Sequence, residues 1–98
     1  MANIVVIKTI PGEELIAELV EDKGLEGIVV SRPRQFQIIP DQTGKGTPSI
    51  SPWIATDPDN KSVWIRYHYI ASFVTAPFSI EKAYLETVSG FDLSGKLK

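Results

Sequence analysis

The side chains best suited to chemistry lie in one short run, Arg66 to Tyr69. A fork-shaped guanidinium, the only histidine of the chain and two tyrosines follow one another there. Guanidinium groups bind phosphate oxygens and aromatic rings stack on unpaired bases, so this combination is typical of a surface that holds single-stranded nucleic acid. In the alternative interpretation, the tyrosines pack within a sheet and the arginine pairs with a glutamate.

A second pair of cations, Arg32 and Arg34, flanks Pro33. These two guanidinium groups could add a further cationic lobe to the same surface. The alternative again is ion pairing with the many glutamates of the chain.

Catalysis and metal binding are not expected. His68 and Ser72 are four residues apart, which in a strand puts them on one face but about 13 Å apart, too far for a hydrogen bond. The chain has one histidine and no cysteine, so it lacks the usual nitrogen and sulfur ligands. Gly44-Lys45-Gly46-Thr47 lacks the first glycine and the hydroxyl of a phosphate-binding loop. We therefore predict no catalytic residue, no metal, no cofactor and no enzymatic activity.

Length and composition predict one domain. The chain has 98 residues, a hydrophobic fraction of 43% and a formal net charge of −2, which argues against binding nucleic acid by bulk electrostatics. It contains no apolar run near the roughly 20 residues of a membrane span. Its start lacks the pattern of a signal peptide, so we expect no membrane association and a cytoplasmic location.

The first half of the chain predicts short strands. Residues 3–10 and 28–31 are β-branched and apolar, and residues 35–39 continue the second of these strands after a kink at residues 32–34. Residues 12–23 are ambiguous, because their composition favours a helix while their partial alternation fits a strand. A loop is predicted at residues 40–48 and a strand at 50–56.

The second half predicts a hairpin, a turn and a helix. Asp57-Pro58-Asp59-Asn60 is a strong turn signal, expected to join residues 50–56 and 62–67 as a hairpin. The arms on either side of Arg66-Tyr67-His68 read as two strands that meet at an exposed bend. A helix is predicted over residues 80–89, capped by Ser79 and closed by Gly90, with a polar tail at 91–98. Such short strands favour a small barrel.

Five short segments of the sequence, in order, resemble one family. They are Gly12-Glu13-Glu14-Leu15-Ile16-Ala17-Glu18, Val30 to Arg34, Ser51-Pro52-Trp53, Trp64 to Ile70, and Lys82-Ala83-Tyr84-Leu85. The chain resembles the Sm-like (LSm) proteins, and more closely the short Sm-like proteins of tailed phages, including those of cyanobacteria. Within the second family signature, Trp64-Ile65-Arg66 matches, whereas Tyr67 stands in place of the glycine. His68 matches the histidine of the Lys-His pair in the Hfq branch. The aspartate and asparagine of the first signature have no counterpart in residues 31–39.

The resemblance implies a fold and an assembly. It implies a mainly β chain that forms a strongly bent, five-stranded Sm-like (SH3-type) barrel over residues 3–76. The chain departs from the family at both ends, because residues 3–10 replace the usual N-terminal helix and the helix lies at the C-terminus instead, over residues 79–90. It favours the strand interpretation of residues 12–23, and it implies a homo-oligomeric ring. Residues 63–65 and 70–74 would otherwise be exposed apolar edges of a small core.

The resemblance also implies roles for particular residues. By similarity, Arg66 and His68 would line the central pore of the ring and contact RNA. With Tyr67 at the pore and Arg32 and Arg34 nearby, these side chains form the predicted RNA-binding set. The implied subunit-interface residues are Val63, Ile65, Ile70, Phe73 and Val74. The implied partners are further copies of the chain and single-stranded RNA. The alternative is an assembly ring that binds host or phage proteins in the host cytoplasm and does not recognise RNA.

Overall fold

The computed structural model describes residues 3–89, which form a mainly β structure with one helix. Its elements are β1 (Ile4–Thr9), β2 (Glu14–Asp22), β3 (Ile28–Pro40), β4 (Gly46–Pro52), β5 (Val63–Ile65), β6 (Ile70–Thr75) and α1 (Phe78–Ser89). Two single-turn 3-10 helices, Gly24–Glu26 and Tyr67–Tyr69, precede β3 and β6. The mainly β prediction is therefore confirmed.

The strands form one antiparallel sheet in the order β4-β3-β2-β1-β6. The short β5 lies off this path and pairs with the beginning of β3, from Ile28 to Val30. The long β3 thus holds both β4 and β5, each over a different part of its length. The sheet is not closed among the described residues, so the predicted closure into a barrel is not confirmed.

The ambiguous segment at residues 12–23 forms β2, as the resemblance implied. Leu15 and Ala17 are fully buried in one core, while Ile16 is buried in another core on the opposite face. Burial on both faces explains why the alternation of apolar residues is imperfect, since each face of the strand has apolar neighbours. These tertiary contacts outweigh the helical composition of the segment.

The predicted kink at residues 32–34 is confirmed, and it lies within a single strand. Ile16 pairs with Arg34 and Glu18 pairs with Ser31, so β3 contains one more residue than β2 over this interval. Arg32 takes a φ of 50°, in the left-handed region, where the extra residue bends the strand. The Pro33 carbonyl at this bend accepts a hydrogen bond from the amide of Trp53.

The predicted loop at 40–48 and strand at 50–56 are displaced by several residues. The chain turns tightly after Pro40, and β4 begins at Gly46 and ends at Pro52. The carboxylate of Asp41 accepts hydrogen bonds from the Thr43 hydroxyl and amide and from the Lys45 amide, which together lower the pKa of Asp41. These side-chain hydrogen bonds shorten the loop and let the strand begin earlier.

The predicted hairpin between residues 50–56 and 62–67 is wrong. The turn itself is present, because the amide of Asn60 donates to the carbonyl of Asp57. However, β4 pairs with residues 34–40 of β3 and β5 pairs with residues 28–30, so the two strands do not pair with each other. A strand of 13 residues offers a longer edge than either short strand could offer the other.

The sheet is buried on both faces. One core contains Val5, Ile7, Leu15, Ala17, Ile28, Val30 and Ile65. The other lies beneath α1 and contains Ile4, Ile16, Ala76 and Tyr84, with Ile80, Leu85 and Val88 packed against them. The helix begins at Phe78, one residue before the predicted cap Ser79, and the Pro77 carbonyl accepts from the amides of Ile80 and Glu81.

The remaining predictions for this part of the chain, Gly90 as the helix end and a tail at 91–98, lie outside the described residues. Within residues 3–89, no helix combines the length and the apolar character needed to cross a membrane.

Candidate functional site

Arg66, Tyr67 and His68 are all exposed at the turn that joins β5 to β6. The backbone is extended at Arg66 and then forms the 3-10 turn, which closes when the amide of Tyr69 donates to the Arg66 carbonyl at 3.0 Å. The buried Ile65 anchors the turn on one side and the half-buried Tyr69 on the other. The predicted exposed bend is therefore confirmed, with its polar centre facing solvent.

The guanidinium of Arg66 stacks on the ring of Trp64. Its central carbon lies 3.8 Å from the ring centre, and the Lys23 ammonium lies 5.1 Å from the same ring. The indole N–H of Trp64 donates to the Glu26 carbonyl at 3.0 Å, which fixes the plane of the ring. Among residues 3–89, no carboxylate lies within ion-pairing distance of Arg66. The cation is thus held in place by a ring face, and its N–H groups remain available for an anion.

A second turn completes the site. Leu25 and Glu26, from the Gly24–Glu26 turn, line an open cleft of about 360 Å³ together with Arg66, Tyr67 and His68. Leu25 is 86% exposed. The part of residues 24–27 in the site was not predicted from the sequence. The only local signal was the pair of glycines on either side of Leu25 and Glu26.

Gly27 allows the two turns to approach each other. Its φ is 115°, and a Cβ at this position would overlap the Ile65 carbonyl oxygen and lie 2.9 Å from the Arg66 Cα. A glycine is required both by the backbone conformation and by the space. The cleft therefore depends on this one position for its shape.

Arg34 lies inside the fold and does not line the cleft. Its side chain is 6% exposed, and its guanidinium pairs with Asp59 at 3.2 Å and donates to the Pro58 carbonyl. These contacts fasten the 57–60 turn to the bend of β3. Arg34 therefore does not form the second cationic lobe predicted from the sequence, because its guanidinium binds groups within the fold.

Arg32 also faces a protein group. Its guanidinium lies 3.8 Å from the Glu18 carboxylate, and its backbone amide donates to the Asn60 carbonyl. The structure brings Arg32 and Arg34 together at the bend of β3, where the Tyr84 hydroxyl lies 3.0 Å from the carbonyl oxygens of Ser31 and Arg32. It does not bring them into the cleft that Arg66 lines.

The side chains predicted for a subunit interface differ in exposure. Ile65 is buried in the core, and Val63, Ile70 and Phe73 are half-buried and pack against that core. Val74 is 59% exposed. Within residues 3–89, β5 pairs only with β3 and β6 only with β1, so each keeps one backbone edge without a strand partner. The unpaired backbone edges of β5 and β6 and the Val74 side chain are therefore the groups in this segment that another chain can contact.

The described part of the chain contains no group of three or more histidine, cysteine, aspartate or glutamate side chains placed to hold a metal ion. Comparison of the chain with models of known protein families, with curated proteins and with solved structures gave no match. The interpretation of the site therefore depends on its own geometry and chemistry.

Proposed function

We propose that this chain is an Sm-like ring protein that binds single-stranded RNA at the cleft formed by Arg66, Tyr67 and His68. The observation that carries the proposal is the exposure of Arg66 and the way its guanidinium is held. It is exposed, it is held on the ring of Trp64, and it has no carboxylate within ion-pairing distance among the described residues. An arginine held in this way loses little further freedom when it binds a phosphate.

The side chains beside Arg66 supply the rings on which bases can stack. Tyr67 is 57% exposed and His68 is exposed beside it, so both rings can receive an unpaired base. The cleft is open, which suits a flexible strand passing across it rather than an enclosed small molecule. Glu26 adds a negative charge at the same cleft, so binding would rest on one cation and two rings rather than on a broad basic surface.

The ring is the second part of the proposal. The free edges of β5 and β6 can pair between neighbouring copies, which extends the sheet from one subunit into the next. A ring repeats the cleft once in each subunit, so several weak contacts can act on one RNA strand.

Fluorescence anisotropy with labelled single-stranded oligoribonucleotides, at two salt concentrations, tests the RNA-binding part. Arg66→Ala is expected to weaken binding about tenfold and to reduce its salt dependence, because it removes a phosphate contact. Lys45→Ala is the matched control, since Lys45 is an exposed cation on the β3–β4 turn and does not line the cleft. Equal affinity of Arg66→Ala and the unaltered chain, or no binding at low salt, would reject the RNA site.

Native mass spectrometry tests the ring separately, and a stable monomer at micromolar concentration contradicts it.

A protein-binding assembly ring is the second candidate, and exposed apolar side chains favour it. Leu25 is 86% exposed, Phe78 79% and Val74 59%. Large exposed apolar side chains of this kind can be buried when another protein binds over them. A ring that shows no RNA shift at low salt, and that loses a co-purifying protein on Leu25→Ser, is the result expected from this candidate.

A further inference from the structure

Glu13 lies in the short connection between β1 and β2, where its carboxylate accepts hydrogen bonds from two aromatic side chains. The Tyr69 hydroxyl donates to Oε1 at 2.8 Å, and the Trp53 indole N–H donates to Oε2 at 3.1 Å. The Thr9 hydroxyl lies 3.3 Å from Oε1 and accepts from the Glu13 amide at 3.0 Å. One carboxylate thus joins three separate parts of the chain.

Tyr69 connects this carboxylate to the Arg66–His68 cleft. It is the last residue of the Tyr67–Tyr69 turn, and its amide closes that turn on the Arg66 carbonyl. Its own carbonyl accepts from the Ile10 amide at 2.8 Å, so its backbone is fixed as well. The Trp53 and Tyr69 rings lie with their centres 6.4 Å apart at an angle of 34°, which adds an aromatic contact to the shared acceptor.

A carboxylate can accept from both aromatic partners at once. An indole N–H can only donate, and the Tyr69 hydroxyl donates here, so both partners need an acceptor oxygen at residue 13. Glutamate offers two such oxygens. Glutamine would offer one neutral oxygen to the indole, and the Tyr69 hydroxyl would have to accept from the N–H₂ group in place of donating, so the charge-assisted hydrogen bond would be lost. The hydrogen bond to Glu13 also raises the pKa of the Tyr69 phenol, which keeps the donated proton on the tyrosine.

We infer that Glu13 is the positioning residue of the Arg66–His68 cleft, an inference that rests on the proposed function. Through Tyr69 it fixes one end of the 3-10 turn that carries Tyr67 and His68, while Gly27 and Ile65 fix the other end. A turn held at both ends presents its rings and its cation in one arrangement, so little ordering remains to be done when a ligand binds. Glu13 itself does not line the cleft.

Amide hydrogen exchange measured by NMR tests the positioning without any ligand. Glu13→Gln is expected to speed exchange of the Tyr69 and Ile10 amides, whose acceptors lie in and beside the turn, about fivefold or more. Amides in the pairing of β3 with β4 are expected to keep their rates. Glu14→Gln is the matched control, because it makes the same charge change one residue away on an exposed side chain. Glu14→Gln should leave the exchange rates of the Tyr69 and Ile10 amides unchanged.

Tyr69→Phe is the second variant, since it removes the same hydrogen bond and leaves the carboxylate in place. Tyr69→Phe is expected to speed exchange of the same amides. Adding Glu13→Gln to it should raise their exchange rates little further, because both substitutions act on the one hydrogen bond between Tyr69 and Glu13. Unchanged turn amides in both variants would overturn the inference. So would a uniform rise across the whole sheet, which indicates a loss of global stability rather than of positioning.

Oligonucleotide affinity, measured on the same variants, separates this inference from the proposed function. Glu13→Gln and Tyr69→Phe are each expected to weaken binding about fivefold while Glu14→Gln retains it. If the turn amides exchange faster while the oligonucleotide affinity stays unchanged, the inference that Glu13 positions the RNA site is overturned. A chain that binds no oligonucleotide but shows faster turn exchange would reject the RNA function and support Glu13 as the residue that holds the turn.

Discussion

The bend of β3 and the turn between β5 and β6 each present an arginine, and they use it in opposite ways. At the bend, the 6% exposed Arg34 side chain pairs with Asp59 and donates to the Pro58 carbonyl. At the turn, Arg66 is exposed and lies on the ring of Trp64, with no carboxylate partner among residues 3–89. One guanidinium completes the fold, and the other remains available to a partner.

An arginine can bind a partner only where the fold leaves its N–H donors free. Arg34 donates to the Pro58 carbonyl and to the Asp59 carboxylate, and the loss of these partners would leave a buried charge unpaired. A ring face holds Arg66 without using its N–H donors. The comparison predicts that changes at the bend affect stability, whereas changes at the turn affect binding.

The largest expected effect concerns the glycine that anchors the turn. Gly27→Ala is expected to reduce the free energy of unfolding by about 3 kcal/mol or more, because a Cβ would overlap the Ile65 carbonyl oxygen at a φ of 115°. Urea denaturation measures the change. Gly44→Ala is the control, since Gly44 also has a positive φ, of 82°, but nothing lies within 4 Å of a Cβ there. We expect it to cost about 1 kcal/mol. Equal losses would show that the turns are not in close contact.

The next effect compares the two arginines directly. Arg34→Met is expected to cost about 2–4 kcal/mol, because it keeps much of the side-chain volume and removes the donors to Pro58 and Asp59. The same substitution at Arg66 should change the free energy of unfolding by no more than about 1 kcal/mol, the usual size of an exposed cation–π contact. Thermal and urea unfolding of the pair measure the contrast. If the two variants lost equal stability, the distinction between bend and turn would fail.

The smallest effect concerns the tyrosine beneath the bend. Tyr84→Phe removes the hydroxyl that lies 3.0 Å from the carbonyl oxygens of Ser31 and Arg32, and is expected to cost about 1–2 kcal/mol. Tyr67→Phe, at the exposed turn, should leave the free energy of unfolding within about 0.5 kcal/mol of its starting value. A loss at Tyr67 as large as that at Tyr84 would contradict the assignment of Tyr67 to a binding surface.

Alkaline pH provides a second check on Tyr84. Burial raises the pKa of its phenol above the ordinary value of 10.0, although the Arg32 and Arg34 charges act in the other direction. The folded state therefore binds this proton more tightly than the unfolded state. Stability from this group is fully present below pH 10 and is lost as the pH rises through the folded pKa. Unfolding titrations of Tyr84→Phe should show a weaker alkaline decline than the unaltered chain.

Several elements could be predicted from the sequence because their signals are local. The β-branched runs predicted β1 and much of β3, the cap signals at Ser79 and Gly90 predicted a helix where α1 lies, and Asp57-Pro58-Asp59-Asn60 predicted a turn. The exposed bend at Arg66 was also predicted, because polar residues interrupt two apolar arms. Each of these signals acts over a few residues, where propensity and periodicity are informative.

The pairing of strands and the second half of the site could not be predicted in this way. Leu25 and Glu26 reach Arg66 only because Gly27 lets two distant turns meet, and the pairing of β4 and β5 with β3 depends on the length and bend of β3. In the strand at residues 14–22, apolar contacts on both faces outweighed helix propensity. Interactions between residues far apart in the chain leave no local signal.

Local patterns along the chain are enough to predict the mainly β character, the C-terminal helix and the set of side chains gathered between Arg66 and Tyr69. Long-range contacts determine which arginine lies inside the fold, because Arg34 and its partner Asp59 are 25 residues apart. They also bring Glu13 to Tyr69 across 56 residues. Composition and spacing fix what each residue can do, whereas burial and long-range contacts fix which of those chemistries remains available.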